Sequence, residues 1–237
     1  MDVQAMHIAN GIINGSVSAI FLVVAVAGLA VCVWRAKLDL DDRLAPMAGL
    51  VAAFIFAVQM LNFPVAAGTS GHLLGGVLAA VLVGPWAGSI CVAVVLLVQA
   101  LLFADGGLTA LGPNIVNMAI VTAFGGYALF TLLRRLLPSN TAGVVIASGV
   151  SATLAVVLAS IAFTIEYAIG GTGSAPIGTV AAAMIGVHLL IGIGEGVITA
   201  LTVSAVLAAR PDLVYGARNL APALQLRGST AGSVRSS

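Results

Sequence analysis

The stretch His72–Phe103, HLLGGVLAAVLVGPWAGSICVAVVLLVQALLF, decides how the chain is divided into helices. It is almost entirely apolar, and its only interruption is Gly84-Pro85-Trp86. Proline breaks the interior of a helix, whereas a membrane-spanning helix needs about 20 apolar residues, so the stretch is either one long helix or two short ones. The charges around it favour two helices, because all nine basic residues of the chain then fall on the same side of a membrane.

The composition outside this stretch is equally apolar. Of 237 residues, 61% are hydrophobic and 7% are charged, and the mean hydropathy is +1.18, which leaves too little polar surface for a soluble domain. The apolar runs are continuous over about twenty residues rather than alternating over about ten, which excludes a transmembrane barrel. A net charge of +1 gives no nucleic-acid footprint. The sequence therefore predicts an all-α membrane protein embedded in the lipid bilayer.

Dividing the stretch gives about seven transmembrane helices in one bundle. The apolar segments are 12–34, 46–61, 72–83, 87–103, 115–133, 142–169 and 180–209. The positive-inside rule then places the N-terminus outside and the C-terminus in the cytoplasm of a prokaryotic cell membrane. Residues 1–209 form a single membrane domain, and 210–237, which has several Arg, Ser and Gly residues and no apolar period, is expected to be a loosely ordered cytoplasmic tail.

This orientation collects the polar segments of the chain on the outer face. They are Met6-His7, the loop Asn62–His72, the loop Ala104–Gly107 and the connection Gly170–Gly173. Few other places in so apolar a chain can carry polar chemistry. We therefore expect the functional site at this face.

His7 and His72 are the first candidates for that site. Imidazole is the commonest side-chain ligand of transition metals, and two histidines at one face could share an ion. A lone histidine beside a membrane helix is more often an interfacial hydrogen-bonding group, so both interpretations stay open. Asn62, Thr69 and Ser70 lie in the loop before His72 and are predicted to orient its ring by hydrogen bonds.

Asp105, Asn114 and Asn117 lie in and after the next polar loop. Asp105 is either a solvated turn residue or a group that supports the site. Asn114 and Asn117 are about one turn apart inside the following helix, where an unpaired amide is unfavourable, so we expect them to fasten neighbouring loops.

Three further ionisable residues lie at membrane depth. His188 and Glu195 are seven residues apart on one helical face, and Glu166 belongs to the preceding helix. Ionisable groups inside a span are candidates for function and could form a polar network or a proton relay. The alternative is structural, with Glu195 hydrogen-bonded across a helix contact that neighbouring glycines open. No hydrolase motif and no phosphate-binding loop accompanies these residues.

Several stretches together resemble a known family of membrane proteins. They are Met6–Ile8, Gln59–Val65, Gly68–Gly75, Gly84–Trp86, Val98–Gly112, Asn114, Asn117-Met118 and His188–Thr199. The resemblance is to the CbiM/NikM substrate-binding S component of cobalt and nickel energy-coupling factor (ECF) transporters, and it spans most of the chain.

The resemblance implies a seven-helix protein that captures Co2+ or Ni2+ at the outer face and has no catalytic activity or cofactor of its own. Its partners would be a transmembrane coupling (T) subunit, cytoplasmic ATPase subunits and, in the cobalt branch, a small accessory membrane subunit. Members of the family hold the ion through a terminal amine, an amide nitrogen and two imidazoles. Carried over to this chain, these ligands belong to Met6, His7 and His72.

The chain departs from that pattern at its start. Residues 1–5 precede Met6, so the nitrogen of Met6 is a chain amide as the sequence is written. Either the true start is Met6, which we favour because Met6–Ile8 keeps the family pattern, or the extension is removed, or the protein coordinates its ion differently. Four nitrogens in a plane favour Ni2+, whereas the short chain resembles the cobalt branch, and cobalt is the first expectation.

Two other functions have less support in the sequence. An intramembrane enzyme could use His188 and Glu195 as acid and base, but no nucleophile motif supports it. An S component for an organic vitamin would need an aromatic pocket, and only 5% of the residues are aromatic.

Overall fold

The protein is a bundle of apolar helices. The structure, a computed structural model, describes residues 7–39, 44–61, 63–66 and 69–220. Five helices in this part of the chain are long and apolar enough to cross a membrane: Gly15–Leu38, Pro85–Leu102, Leu108–Leu136, Thr141–Gly170 and Ile177–Ala209. The predicted helical membrane fold is confirmed at this level, while the count of seven spans and the orientation stay predictions.

The helices are numbered along the chain. They are α1 (Gly15–Asp39), α2 (Leu44–Gln59), α3 (Gly76–Val83), α4 (Pro85–Leu102), α5 (Leu111–Asn114), α6 (Gly126–Leu136), α7 (Thr141–Gly170) and α8 (Ile177–Ala209). Two short antiparallel strands, β1 (Phe63–Ala66) and β2 (Thr69–Gly71), lie between α2 and α3. This hairpin was not predicted from the sequence.

The predicted break at Gly84-Pro85 is confirmed, because α3 ends at Val83 and α4 begins at Pro85. Gly84 joins the two helices with φ 86° and ψ 157°, a backbone conformation that residues other than glycine rarely adopt. All eight residues of α3 are buried. At 1.5 Å per residue α3 is only about 12 Å long, so a chain crossing at this point also needs the non-helical residues 72–75 before it.

The predicted start of this third helix at His72 is wrong. Helix α3 begins at Gly76, and residues 72–75 have no regular structure. The backbone here is held by side chains instead. The Glu195 carboxylate accepts hydrogen bonds from the N–H groups of Leu74 and Gly75 at 2.7 and 3.0 Å, and Gln59 Nε2 donates to the carbonyl of Leu74 at 2.8 Å.

The helix predicted from Ile115 begins earlier. A 3-10 turn, Leu108–Ala110, runs into α5, and a π-helix, Ile115–Gly125, then joins α5 to α6. Pro113 is therefore in the first helical turns, where a missing N–H costs no internal hydrogen bond. Wide π-helical turns are uncommon and frequently accompany functional sites.

Helices α7 and α8 pack as a close antiparallel pair through small residues. Gly192 and Gly196 lie against the backbone of Thr153 and Gly149, and the Thr153 hydroxyl donates to the carbonyl of Gly192 at 2.9 Å. The predicted role of these glycines in close helix contact is confirmed. At the far end of the pair, Asn14 N–H donates to the carbonyl of Gly170 at 2.7 Å, so the segment before α1 is attached to the α7–α8 connection.

The segment after α8 is ordered further than the sequence indicates. The sequence predicts a loose tail from 210, but Pro211–Leu213 and Tyr215–Leu220 form 3-10 turns, and Val214 and Ala217 are buried against the bundle. The Tyr215 ring covers Gly84. Residues 221–237 lie outside the described part of the chain.

Candidate metal site

The segment His7–Asn10 is held along the loop before α5. Asn114 pairs with the backbone of Ile8: its Oδ1 accepts from the Ile8 N–H at 3.0 Å and its Nδ2 donates to the Ile8 carbonyl at 3.2 Å. Gly107 N–H also donates to that carbonyl, at 3.0 Å. The sequence prediction that Asn114 fastens a neighbouring segment agrees with these contacts.

His7 and His72 meet above the start of α3. Their ring centroids are 4.7 Å apart and their planes are tilted by 53°. His7 is 7% exposed and His72 is 5% exposed, although they are 65 positions apart in the sequence. The structure therefore brings together, in a buried place, the two histidines that the sequence selected as ligands.

Each of these rings is fixed through its Nδ1 atom. His7 Nδ1 donates to Asp105 Oδ1 at 3.0 Å, and His72 Nδ1 donates to the carbonyl of Leu73 at 2.7 Å. His7 Nε2 is buried and has no hydrogen-bond partner among the described residues. A carboxylate or carbonyl on one ring nitrogen is the usual way in which a metal-binding histidine is oriented.

The loop that carries Asp105 is tightly built around His7. Ala104 has φ 53°, a left-handed conformation that is uncommon outside glycine, and Gly106 has φ 89°. A side chain at Gly106 would meet His7, and one at Gly107 would meet Asn10. Asn10 Oδ1 in turn accepts from the N–H and the hydroxyl of Thr109 at 3.0 and 2.8 Å. Asp105 is therefore packed against His7, and it is not simply a solvated turn residue.

A cavity of about 520 Å³ opens beside the two histidines. Its walls come from the N-terminal segment, the residues before α3, the π-helix and helices α7 and α8. The polar side chains on these walls are His7, His72, Asn114, Asn117 and His188. Of the four polar segments expected on one face, those of His7 and His72 supply walls of this cavity, and Asp105 of a third contacts His7.

Glu166, His188 and Glu195 each have a different hydrogen-bond partner. Glu166 Oε2 accepts from Asn117 Nδ2 at 2.8 Å, His188 Nδ1 donates to the carbonyl of Met184 at 2.7 Å, and Glu195 holds the backbone before α3. The expected network among these three side chains is thus not formed. For Glu195 the structural alternative fits, because its carboxylate satisfies two backbone donors next to His72.

For the other predicted site residues, the structure describes no side-chain position. Met6 and Asn62 lie outside the described residues, so the role of Met6 as a ligand stays a prediction. Thr69 and Ser70 belong to β2, of which only the backbone is described. The sequence interpretation missed Asn10 and Gln59, although a buried amide in the apolar helix α2 was a usable signal for Gln59.

Within the described ranges, no group of three His, Cys, Asp or Glu side chains could hold a metal ion. A site at His7 and His72 would therefore need further ligands from the backbone, from residues before His7 or from water. Backbone nitrogens next to a histidine can form fused chelate rings with its imidazole, which suits Ni2+ and related ions. Such a ring closes through Nδ1, which Asp105 holds in the structure.

The fold and the site define a class: a multi-pass membrane protein of the transition-metal transporters. A crystal structure of a truncated transition metal transporter superimposes with a TM-score of 0.76 at 32% identity, covering 86% of this chain and 99% of that one. A second crystal structure of a transition metal transporter gives a TM-score of 0.77 at 31% identity over 86% of this chain and 93% of that one.

The family is identified by sequence. Residues 7–213 match the family model described as the cobalt uptake substrate-specific transmembrane region, CbiM, and the chain belongs to that family. It is 36% identical to the cobalt transport protein CbiM of Sorangium cellulosum over 88% of this chain and 94% of that protein. It is also 32% identical to the fused nickel transport protein NikMN of Rhodobacter capsulatus over 88% of this chain and 64% of that protein. The resemblance seen in the sequence is confirmed.

Proposed function

We propose that the chain is the ion-capturing S component of an ECF-type importer for Co2+ or Ni2+. The observation that carries this proposal is the buried contact between His7 and His72, whose ring centroids are 4.7 Å apart beside a cavity. Two imidazoles oriented through their Nδ1 atoms suit a borderline transition-metal ion and not Mg2+ or Ca2+.

The ion would be held by His7, His72 and the backbone nitrogens at and before His7. Met6 supplies one of these nitrogens if the mature chain begins there, with a free amine. Asp105 positions the His7 ring before the ion arrives, and closing a chelate through Nδ1 replaces that hydrogen bond with a metal bond. The carboxylate stays next to the ion and offsets part of its charge.

The proposed topology has seven transmembrane segments, with the His7 end of the bundle outside and the C-terminus in the cytoplasm. The basic side chains support this orientation, because Arg134, Arg135 and Arg210 are at the end of the bundle away from His7. Uptake would then require a coupling subunit, ATPase subunits that supply the energy and, for cobalt, a small accessory membrane subunit. The chain itself would catalyse no reaction.

The test is metal binding by the purified full-length chain in detergent. Titration with Co2+ and with Ni2+ should show one tight site, and His72→Ala should lower its affinity by about 100-fold or more, because losing a direct ligand exceeds the 10- to 100-fold effect of an outer contact. Leu189→Ala, on the exposed side of α8, is the matched control and should bind as the unchanged chain does. Unchanged affinity in His72→Ala would disprove the proposal.

The same titration addresses the N-terminus and the choice of ion. A chain that begins at Met6 should bind more tightly than one that keeps residues 1–5, if a terminal amine is a ligand. Equal affinity of the two chains would remove Met6 amine from the ligand set. Competition between Co2+ and Ni2+ on the tighter form gives the preferred ion directly.

A further inference from the structure

Two buried acceptor atoms near the cavity have no hydrogen-bond partner among the described residues. They are Glu166 Oε1 and Asn117 Oδ1. Glu166 is 1% exposed and Asn117 is 4% exposed, so bulk water does not compensate these oxygens. Leaving a buried acceptor without a donor or a cation is unfavourable.

His188 is prepared as an acceptor by its surroundings. The carbonyl of Met184 can only accept a hydrogen bond, so His188 Nδ1 carries the proton and the lone pair of the neutral ring is on Nε2. His188 lines the same cavity as His7 and His72. It is therefore a third imidazole facing one space, oriented in the same way as His72.

Asn117 and Glu166 lie inward of the N-terminal segment. Asn114 holds Ile8, and Asn117 follows three residues later, about one helical turn further into the bundle. Asn117 Nδ2 donates to Glu166 Oε2 at 2.8 Å, which keeps the carboxylate beside that turn. The π-helix that contains Asn117 is an independent irregularity at the same place.

We infer that Glu166, Asn117 and His188 form a second, weaker position for the divalent cargo ion, inward of His7 and His72. This inner position rests on the proposed function, because it receives the same ion. Asn117 and His188 line the cavity, and Glu166 is hydrogen-bonded directly to Asn117. The described residues that line the cavity include no lysine or arginine, so an entering cation is the group that complements the Glu166 carboxylate. A carboxylate oxygen, an amide oxygen and an imidazole nitrogen suit a divalent transition-metal ion.

The inner ion keeps part of its water shell. No three His, Cys, Asp or Glu side chains in the described part of the chain are close enough to hold one bare ion, so water must complete the coordination. A cavity of about 520 Å³ has room for an ion with several waters. The inner position is consequently rich in oxygen and weak, whereas the outer position is rich in nitrogen and tight.

Co2+ titration of the full-length chain in detergent, followed by bound metal and by the visible spectrum, tests this inference. We expect a tight class of sites and a weaker class with the pale spectrum of octahedral, oxygen-rich Co2+. His188→Ala and Glu166→Gln should each weaken the second class by about tenfold or more while the tight class stays unchanged. Leu189→Ala, the neighbour of His188 on the exposed side, is the control and should leave both classes intact.

Glu166→Gln preserves the acceptor for Asn117 Nδ2 and removes only the charge. If it does not fold, His188→Ala alone carries the test. A single class of sites in the unchanged chain, or a weak class that neither variant affects, would overturn the inner position. In His72→Ala the tight class should disappear and the weak class should persist. Absence of any class that depends on His72 would instead disprove the outer site, so the two failures are distinguishable.

Discussion

Helices α3 and α8 are both apolar, yet they have opposite places in the bundle. All eight residues of α3, Gly76–Val83, are buried, whereas many side chains of the 33-residue helix α8 are exposed on the outside of the bundle. Leu189, Val197 and Leu201 of α8 are exposed. Hydropathy therefore identified both helices but did not indicate which one faces lipid.

The difference shows what holds a short helix inside a membrane bundle. Lipid is as apolar as the core, so burial alone does not favour α3 over a position at the surface. Helix α3 is held by polar contacts just before its N-terminal end and by close packing just after its C-terminal end. Glu195 of α8 holds the N–H groups of Leu74 and Gly75, and the Tyr215 ring covers Gly84.

The largest effect should come from Glu195→Ala, which removes the polar contact between α8 and the residues just before α3. Two buried backbone donors lose their acceptor, and we expect the free energy of unfolding to fall by about 3 kcal/mol or more, at about 1 to 3 kcal/mol for each unsatisfied group. Unfolding by denaturant in detergent measures it. Tight metal affinity should fall as well, because His72 is two residues before Leu74.

Glu195→Gln is the matched control for that variant. It keeps one carbonyl oxygen as an acceptor and should lose about half as much stability. If Glu195→Ala were as stable as the unchanged chain, α3 would be held by packing alone and the comparison with α8 would have to be redrawn.

Gly84→Ala should have a smaller effect at the other end of α3. A side chain at φ 86° and ψ 157° is strained, and its Cβ would approach the Tyr215 ring, so we expect a loss of about 2 kcal/mol. Gly178→Ala in the first turn of α8 is the control: it has open space around it, and alanine is a better helix former than glycine. Equal stability of the two variants would contradict a structural role for Gly84.

The sequence predicted the helical class, the break at Gly84 and the two histidines because each has a local signal. Proline interrupts the interior of a helix, and a histidine in an apolar chain is visible without a structure. Seven apolar segments were also visible, but hydropathy cannot show that 72–75 is not helical. That depends on Glu195, which is 120 residues away along the chain.

The same limit applies to the candidate site. His7 and His72 were found, and Asp105 was found only as one of two alternatives, because its contact with His7 spans 98 residues. The separate partners of Glu166, His188 and Glu195 were missed for the same reason. Helical spacing placed His188 and Glu195 on one face, but which neighbours meet that face is decided by how α7, α8 and the segment before α3 pack.

The smallest expected effect is the most direct comparison of the two helices. Val81 of α3 is fully buried, and Val197 of α8 is 55% exposed. In a soluble protein, Val81→Ala would lose stability for two reasons: fewer methyl groups are removed from water on folding, and a cavity is left in the core. In lipid the first loss is nearly absent, because the methyl groups are in an apolar medium in either state, so only the cost of the cavity remains. We therefore expect Val81→Ala to cost about 1 kcal/mol and Val197→Ala to change stability by less than about 0.5 kcal/mol, measured by the same denaturant unfolding. Equal losses in the two variants would show that lipid packs on Val197 as closely as the protein packs on Val81, and the contrast between α3 and α8 would then rest on their polar contacts alone.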